Sequence, residues 1–196
     1  MADKKTTQMP EQESAFTTFV FPVIVLVAIC VVCSVLLALL NSKTAPIIKE
    51  NEIAETQAAY LAVLPEGTAA DSLTDMTEQV TTAGVQGAVK TADGAAAIKA
   101  GANGYGGKAV TVYVAFDANG TVTGVSVDAS TQTTGLGSKT GEEKFYSGFT
   151  GWSADAKVES GSPVDAIAGA TISSKACFTA INEAIDCFNN EIKGVA

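Results

Sequence analysis

The chain has no histidine, and all twelve of its basic residues are lysines, so arginine is absent as well. Without histidine there is no Ser-His-Asp triad, no Cys-His dyad, no imidazole proton shuttle and no histidine-ligated haem. Without arginine, the two-pronged clamp for phosphates and guanine edges is missing. A formal net charge of -9 leaves no electrostatic footprint for nucleic acid, and none is expected as a partner. Cysteine is scarce too, at four residues. Cys177 and Cys187 fall on one predicted helix about 15 Å apart along its axis, beyond disulfide reach. Cys30 and Cys33 sit inside an apolar run, where two readings are open. They are half of a thiolate site needing ligands from another chain, or they are small apolar residues of a membrane helix. No metal site is expected, and any redox or group-transfer chemistry has to come from a borrowed group.

What the sequence does have begins with "FVFPVIVLVAICVVCSVLLALL", residues 19–40, 22 residues without a charge. As a helix this run extends about 33 Å, against a bilayer core of about 30 Å. A cleaved signal peptide has a shorter apolar region ending in small residues, so a retained transmembrane helix is the expectation. Lys4 and Lys5 on one side are balanced by Lys43 and Lys49 on the other, which leaves the orientation open. Ten of the lysines and eighteen of the acidic residues lie beyond residue 42, so the distal part is an acidic domain. It repels anionic lipid headgroups rather than lying on them.

Residues 41–66 carry good helix formers after Pro46, with apolar Ile53, Tyr60, Leu61 and Leu64 before Pro65. They read as a stalk helix. Residues 67–82, rich in Thr, Asp and Ala, read as a loop. Runs at 85–92 and 95–100 flank "ADG" as a hairpin. In "KAVTVYVAF" Val110, Val112 and Val114 alternate with Thr111, Tyr113 and Ala115; "DANG" then turns the chain into "TVTGVSVDA". This predicts a second antiparallel hairpin with one buried face. A last helix is expected over 173–192, with Cys177, Ile181, Ala184, Ile185 and Phe188 on one stripe. The fold class is therefore α+β: one transmembrane helix, then a domain with a twisted antiparallel sheet packed by helices.

Three glycine-centred stretches remain: "GANGYGG" at 101–107, "QTTGLGSKTG" at 132–141 and "DAIAGATISS" at 165–174. Each is either a plain turn or a loop whose backbone approaches a ligand closely. In the second, Leu136 suits an apolar surface and Lys139 a phosphate or carbonyl. In the third, Thr171, Ser173 and Ser174 surround a helix start, where free amides attract anions.

In this order, behind one membrane span, these stretches resemble the FMN-binding G-type component of the Rnf electron transport complex. They resemble more distantly the C-type component of the sodium-pumping NADH:quinone reductase. The likeness covers nearly the whole chain, through "GYGGKAVTVYVAFDANGTVTGVSV", "TTGLGSK" and "DAIAGATISS". It implies FMN attached by a phosphodiester bond to the threonine of an Asp-x-x-(Ser/Thr)-Gly-Ala-Thr motif, here Asp165, Gly169, Ala170 and Thr171. Thr171 is then the acceptor, with the phosphate on the helix amides and beside Ser173 or Ser174, both candidate contacts. Tyr105, Thr134, Gly135, Leu136, Gly137 and Lys139 are the remaining candidate contacts. Ala168 and Ala166 stand where the family often has Ser or Thr and Gly. Its usual Glu-Thr-Pro-Gly-Leu-Gly is here Gln132, Thr133, Thr134, Gly135, Leu136, Gly137.

The resemblance further implies a cytoplasmic tail over 1–18 and a covalent FMN domain over 67–196 on the outer side of a bacterial inner membrane. Its implied partners are the other Rnf components, of A, B, C, D and E type, and a flavin transferase for maturation. The implied role is an electron relay between ferredoxin and NAD, coupled to sodium or proton transport. A stand-alone membrane-anchored flavoprotein is a further alternative.

Overall fold

A computed structural model describes residues 20–194. The expected tail over 1–18 and the first residue of the apolar run, Phe19, lie outside the described residues. The chain divides into two compact units, Met1–Glu52 and Ile53–Ala196.

Helix α1, Phe21–Val63, is long and apolar enough to cross a bilayer, and none of its apolar window is buried within the protein. One such helix is compatible with a single-pass anchor. The apolar run and the stalk residues up to Val63 form one continuous helix, with Pro46 inside it. Proline removes one helical donor, but strong helix formers on both sides carry the helix past it.

In the second unit, strands β1 (Leu73–Asp75), β2 (Val85–Thr91), β3 (Ala96–Asn103), β4 (Ala109–Phe116) and β5 (Val122–Asp128) form one antiparallel sheet in sequential order. Both expected hairpins are present. The expected loop over 67–82 is corrected at β1, which pairs Leu73 with Thr91 and Asp75 with Val89. Three residues carry no periodicity of their own, so β2 supplies this edge strand by backbone pairing alone. The β4–β5 turn follows from "DANG". Asp117 Oδ1 accepts the amides of Asn119 (2.9 Å) and Thr121 (2.7 Å), and Gly120 takes the φ of +94° that closes the turn.

A single-turn helix α2, Glu143–Tyr146, follows the sheet and buries Phe145. Helix α3, Thr171–Cys187, continues through one π-helical turn, Phe188–Ile192. Phe178 of α3 stacks on Phe145 at 6.1 Å, which joins the two helices. The buried stripe of α3 packs Ile181, Ala184 and Ile185 on Ile98, Val112 and Val114, all within 1% of complete burial. Phe188 stacks on Phe116 at 4.7 Å. Each of these Ile, Val and Phe side chains contributes about 1.5–3 kcal/mol by leaving water. At the far end Glu191 accepts from the Thr81 hydroxyl (2.6 Å) and amide (3.0 Å), fastening the segment before β2 to the helix terminus.

The sheet has cores on both faces, which corrects the expectation of one. Opposite α3, the last turns of α1 and the residue after it lay Tyr60, Val63 and Leu64 on Val89, Ala97 and Ala115. Tyr60 meets the Tyr113 ring edge-on at 5.7 Å. The approach is close enough that a Cβ on Gly124 would collide with the Val63 carbonyl oxygen.

Candidate functional site

At the end of the β3–β4 hairpin where Asn103 pairs with Ala109, three chain segments converge on the N-terminus of α3. A 3-10 turn, Tyr105–Gly107, links β3 to β4. The segment after β5 runs through Thr133 and Leu136 into a second 3-10 turn, Gly137–Gly141. The third segment leads into α3, where the Ala170 amide donates to the Ile167 carbonyl (2.9 Å) and Gly169 adopts φ +81°. A side chain is strained at that φ, so the glycine sets the angle at which the chain enters the helix.

Helix α3 begins at Thr171 rather than Ser173. Its N-cap is Ala170, which cannot cap with a side chain, and no acidic residue stands in the first turn. The first-turn amides therefore keep their hydrogen-bonding capacity and the positive end of the helix dipole. Ser174 is fully buried and its hydroxyl accepts the Ile167 amide (3.0 Å), bracing the turn from behind.

Between the three segments lies a cavity of about 440 Å³. Tyr105 walls one side, Thr133, Leu136 and Gly137 another, and Gly169 through Ser173 the floor. Among the described residues that follow α1, the exposed large apolar side chains are Tyr105 (61%), Leu136 (48%) and Ile172 (54%), and all three face this one cavity. The Thr171 hydroxyl belongs to an exposed residue on the same floor.

The structure thus brings together Tyr105, Leu136, Gly137, Gly169, Ala170, Thr171 and Ser173 of the expected site residues. It does not bring Asp165, Thr134, Gly135, Lys139 or Ser174 into the cavity wall. Asp165 and Lys139 lie outside it, and Ser174 is spent on the backbone. Sequence reasoning misses Thr133 and Ile172 in the wall and Gln132 behind it. In an irregular loop no periodicity separates Thr133 from Thr134. Ile172 carries a signal: a large apolar residue in the first turn, off the buried stripe.

Gln132, 5% exposed, is the hub behind the wall. Its Oε1 accepts from the Tyr105 amide (3.1 Å) and the Ser173 hydroxyl (2.8 Å), and its Nε2 donates to the Lys108 carbonyl (2.9 Å). Both cysteines of α3 are ruled out as nucleophiles. Burial pushes the Cys177 and Cys187 thiols up to about 12, and neither forms thiolate at neutral pH.

A flavin mononucleotide fits this arrangement on three counts. The cavity volume falls in the range of about 300–1,000 Å³ typical of cofactor sites. Three exposed apolar side chains would lose their contact with water against a planar ring. An uncapped helix start beside an exposed threonine suits a phosphate ester, whose charge the amides would bind.

No curated protein matches the chain. Residues 104–186, which supply every wall of the cavity, match the family model described as FMN-binding domain, and that match supports an FMN-binding flavoprotein with a redox or electron-transfer role.

Proposed function

We propose that this protein is the membrane-anchored FMN carrier of an Rnf-type complex, resembling its G-type component, with FMN esterified to Thr171. The observation that carries the reading is the position of Thr171, an exposed hydroxyl at an uncapped helix start, on the floor of a cavity rimmed by Tyr105, Leu136 and Ile172. FMN, when bound there, supplies reversible acceptance and release of electrons, which no side chain of this chain provides. The protein's own share is positional. Leu136 and Ile172 present apolar surface and keep water from a ring. The first-turn amides of α3 hold one negative charge. Gly169 and Ala170 leave the floor low enough for both the ester and the enzyme that makes it.

A threonine hydroxyl is a weak nucleophile unaided, and a chain without histidine has no imidazole to activate it. A separate flavin transferase is therefore part of the proposal. It joins the Thr171 oxygen to the FMN phosphorus as the pyrophosphate bond of FAD breaks, AMP leaves and the hydroxyl proton is lost. The deciding measurement is intact mass after expression with and without such a transferase. An increment equal to FMN less one water, confined to the co-expressed sample, is the expected result. An unchanged mass would overturn the reading.

In the complex, the domain carries one electron hop between ferredoxin and NAD, coupled to sodium or proton transport, with the other Rnf components as neighbours. The C-type component of a sodium-pumping quinone reductase, and a stand-alone anchored carrier, are separated from this reading by which proteins co-purify. The domain beyond α1 is assigned to the outer side, with residues 1–18 in the cytoplasm. Ser153 is exposed, and Ser153→Cys should react with an impermeant thiol reagent in intact cells. Labelling only after lysis would reverse the topology.

A further inference from the structure

We propose that Gln132 is the positioning residue of this cavity: its single buried amide sets the separation of the three walls, and so the orientation in which the flavin is held. The proposal rests on the flavin reading for its consequence, and on the side-chain geometry alone for its mechanism.

Each valence of the amide is used. Oε1 takes the Tyr105 amide (3.1 Å) from the β3–β4 turn and the Ser173 hydroxyl (2.8 Å) from the first turn of α3. Nε2 gives to the Lys108 carbonyl (2.9 Å) and to Thr131 Oγ1 (3.2 Å). The amide can face only one way, because a backbone N–H can only donate and a carbonyl can only accept. Gln132 itself belongs to the segment carrying Leu136, and its own amide is tied to the Ala129 carbonyl (2.9 Å). One side chain thus joins all three walls, within the protein and out of water.

The neighbouring glycines show how tightly the hub is enclosed. A Cβ on Gly104 would lie 2.5 Å from Gln132 Oε1, and one on Gly137 would lie 2.6 Å from Ser173 Oγ and 2.9 Å from Gln132 Cβ. Real Cβ atoms do not make such contacts, so either side chain would force the walls apart. The two glycines are the space that the amide fills, and neither has a positive φ to explain it otherwise. Tyr105 and Leu136, by contrast, have their side chains in the open, and their positions are inherited from the backbone that Gln132 holds.

Two variants of the full chain test this. Gln132→Met keeps the length of the side chain and loses every hydrogen bond. Gln132→Glu keeps both acceptor bonds, to Tyr105 and Ser173, and loses the two donor bonds, to Lys108 and Thr131. In flavin-free protein, hydrogen exchange of the peptide containing Tyr105 should accelerate at least ten-fold in Gln132→Met and stay near wild type in Gln132→Glu. Peptides from β3 and β4 should be unchanged in both. In protein loaded by a flavin transferase, Gln132→Met should keep its covalent flavin but show a several-fold rise in iodide quenching, with a smaller rise in Gln132→Glu, which keeps the links to Tyr105 and Ser173. Should Gln132→Met fail to fold, Ser173→Ala cuts only the link to α3 and should raise quenching with Tyr105 exchange unaltered. A folded Gln132→Met with unchanged Tyr105 exchange and quenching would overturn the proposal, as would unchanged quenching in Ser173→Ala. Absence of flavin from every variant would overturn the flavin reading instead, with the exchange result still deciding the role of Gln132.

Discussion

Thr171→Ala should give a folded protein that never acquires covalent flavin. The residue is the first of α3 and follows the cap position, which Ala170 occupies without a side-chain bond. Its hydroxyl therefore caps nothing, and alanine is the better helix former by a few tenths of a kcal/mol, so thermal stability should hold or rise slightly. No neighbour can take over the attachment. Ser173 is 2% exposed and bonded to Gln132, and Ser174 is fully buried and bonded to the Ile167 amide. Lys139 stands outside the cavity wall, so Lys139→Ala should retain the flavin. In-gel fluorescence after denaturation reads the bond, and circular dichroism reads the fold. A fluorescent Thr171→Ala band would move the acceptor elsewhere.

Much of the frame is legible in the sequence because it rests on local rules. Alternation of Val110, Val112 and Val114 announces β4, the Asp117–Gly120 turn announces the hairpin, and a 3.6-residue stripe announces α3. The cavity is half legible. Glycines and hydroxyls clustered in three stretches point to the right segments, but which residues of a segment face inward depends on a turn, and turns lack the periodicity that resolves helices and strands. Thr134 looks as good as Thr133 on that account, and Ser174 looks available to a ligand when it serves the backbone. Gln132 is hidden for a different reason. A polar residue in a polar loop looks solvated until its partners, 27 residues back at Tyr105 and 41 ahead at Ser173, are brought to it.

The second face of the sheet is illegible for the same long-range reason, and it carries the other large expected effect. Ala97, Ala115 and Gly124 look like weak strand residues because each presents little surface. The structure uses that smallness, since Tyr60, Val63 and Leu64 of α1 and the turn after it lie directly on them. Gly124→Val should therefore lift the helix end off the sheet, because its Cβ would fall on the Val63 carbonyl, which is backbone and cannot swing aside as a side chain would. Overpacking of this kind costs about 1–3 kcal/mol, read as a lower urea midpoint of the full chain in detergent. A double-mutant cycle with Tyr60→Ala identifies the cause. If Gly124→Val already separates the two surfaces, Tyr60→Ala should cost much less in that background than in wild type, a non-additivity above about 0.5 kcal/mol. Covalent flavin should persist in Gly124→Val, because Gly124 pairs with Ala115, six residues or about 20 Å along β4 from Ala109 at the cavity. Additive costs would mean that the helix end stays seated, and that the small residues at 97, 115 and 124 are not what seats it.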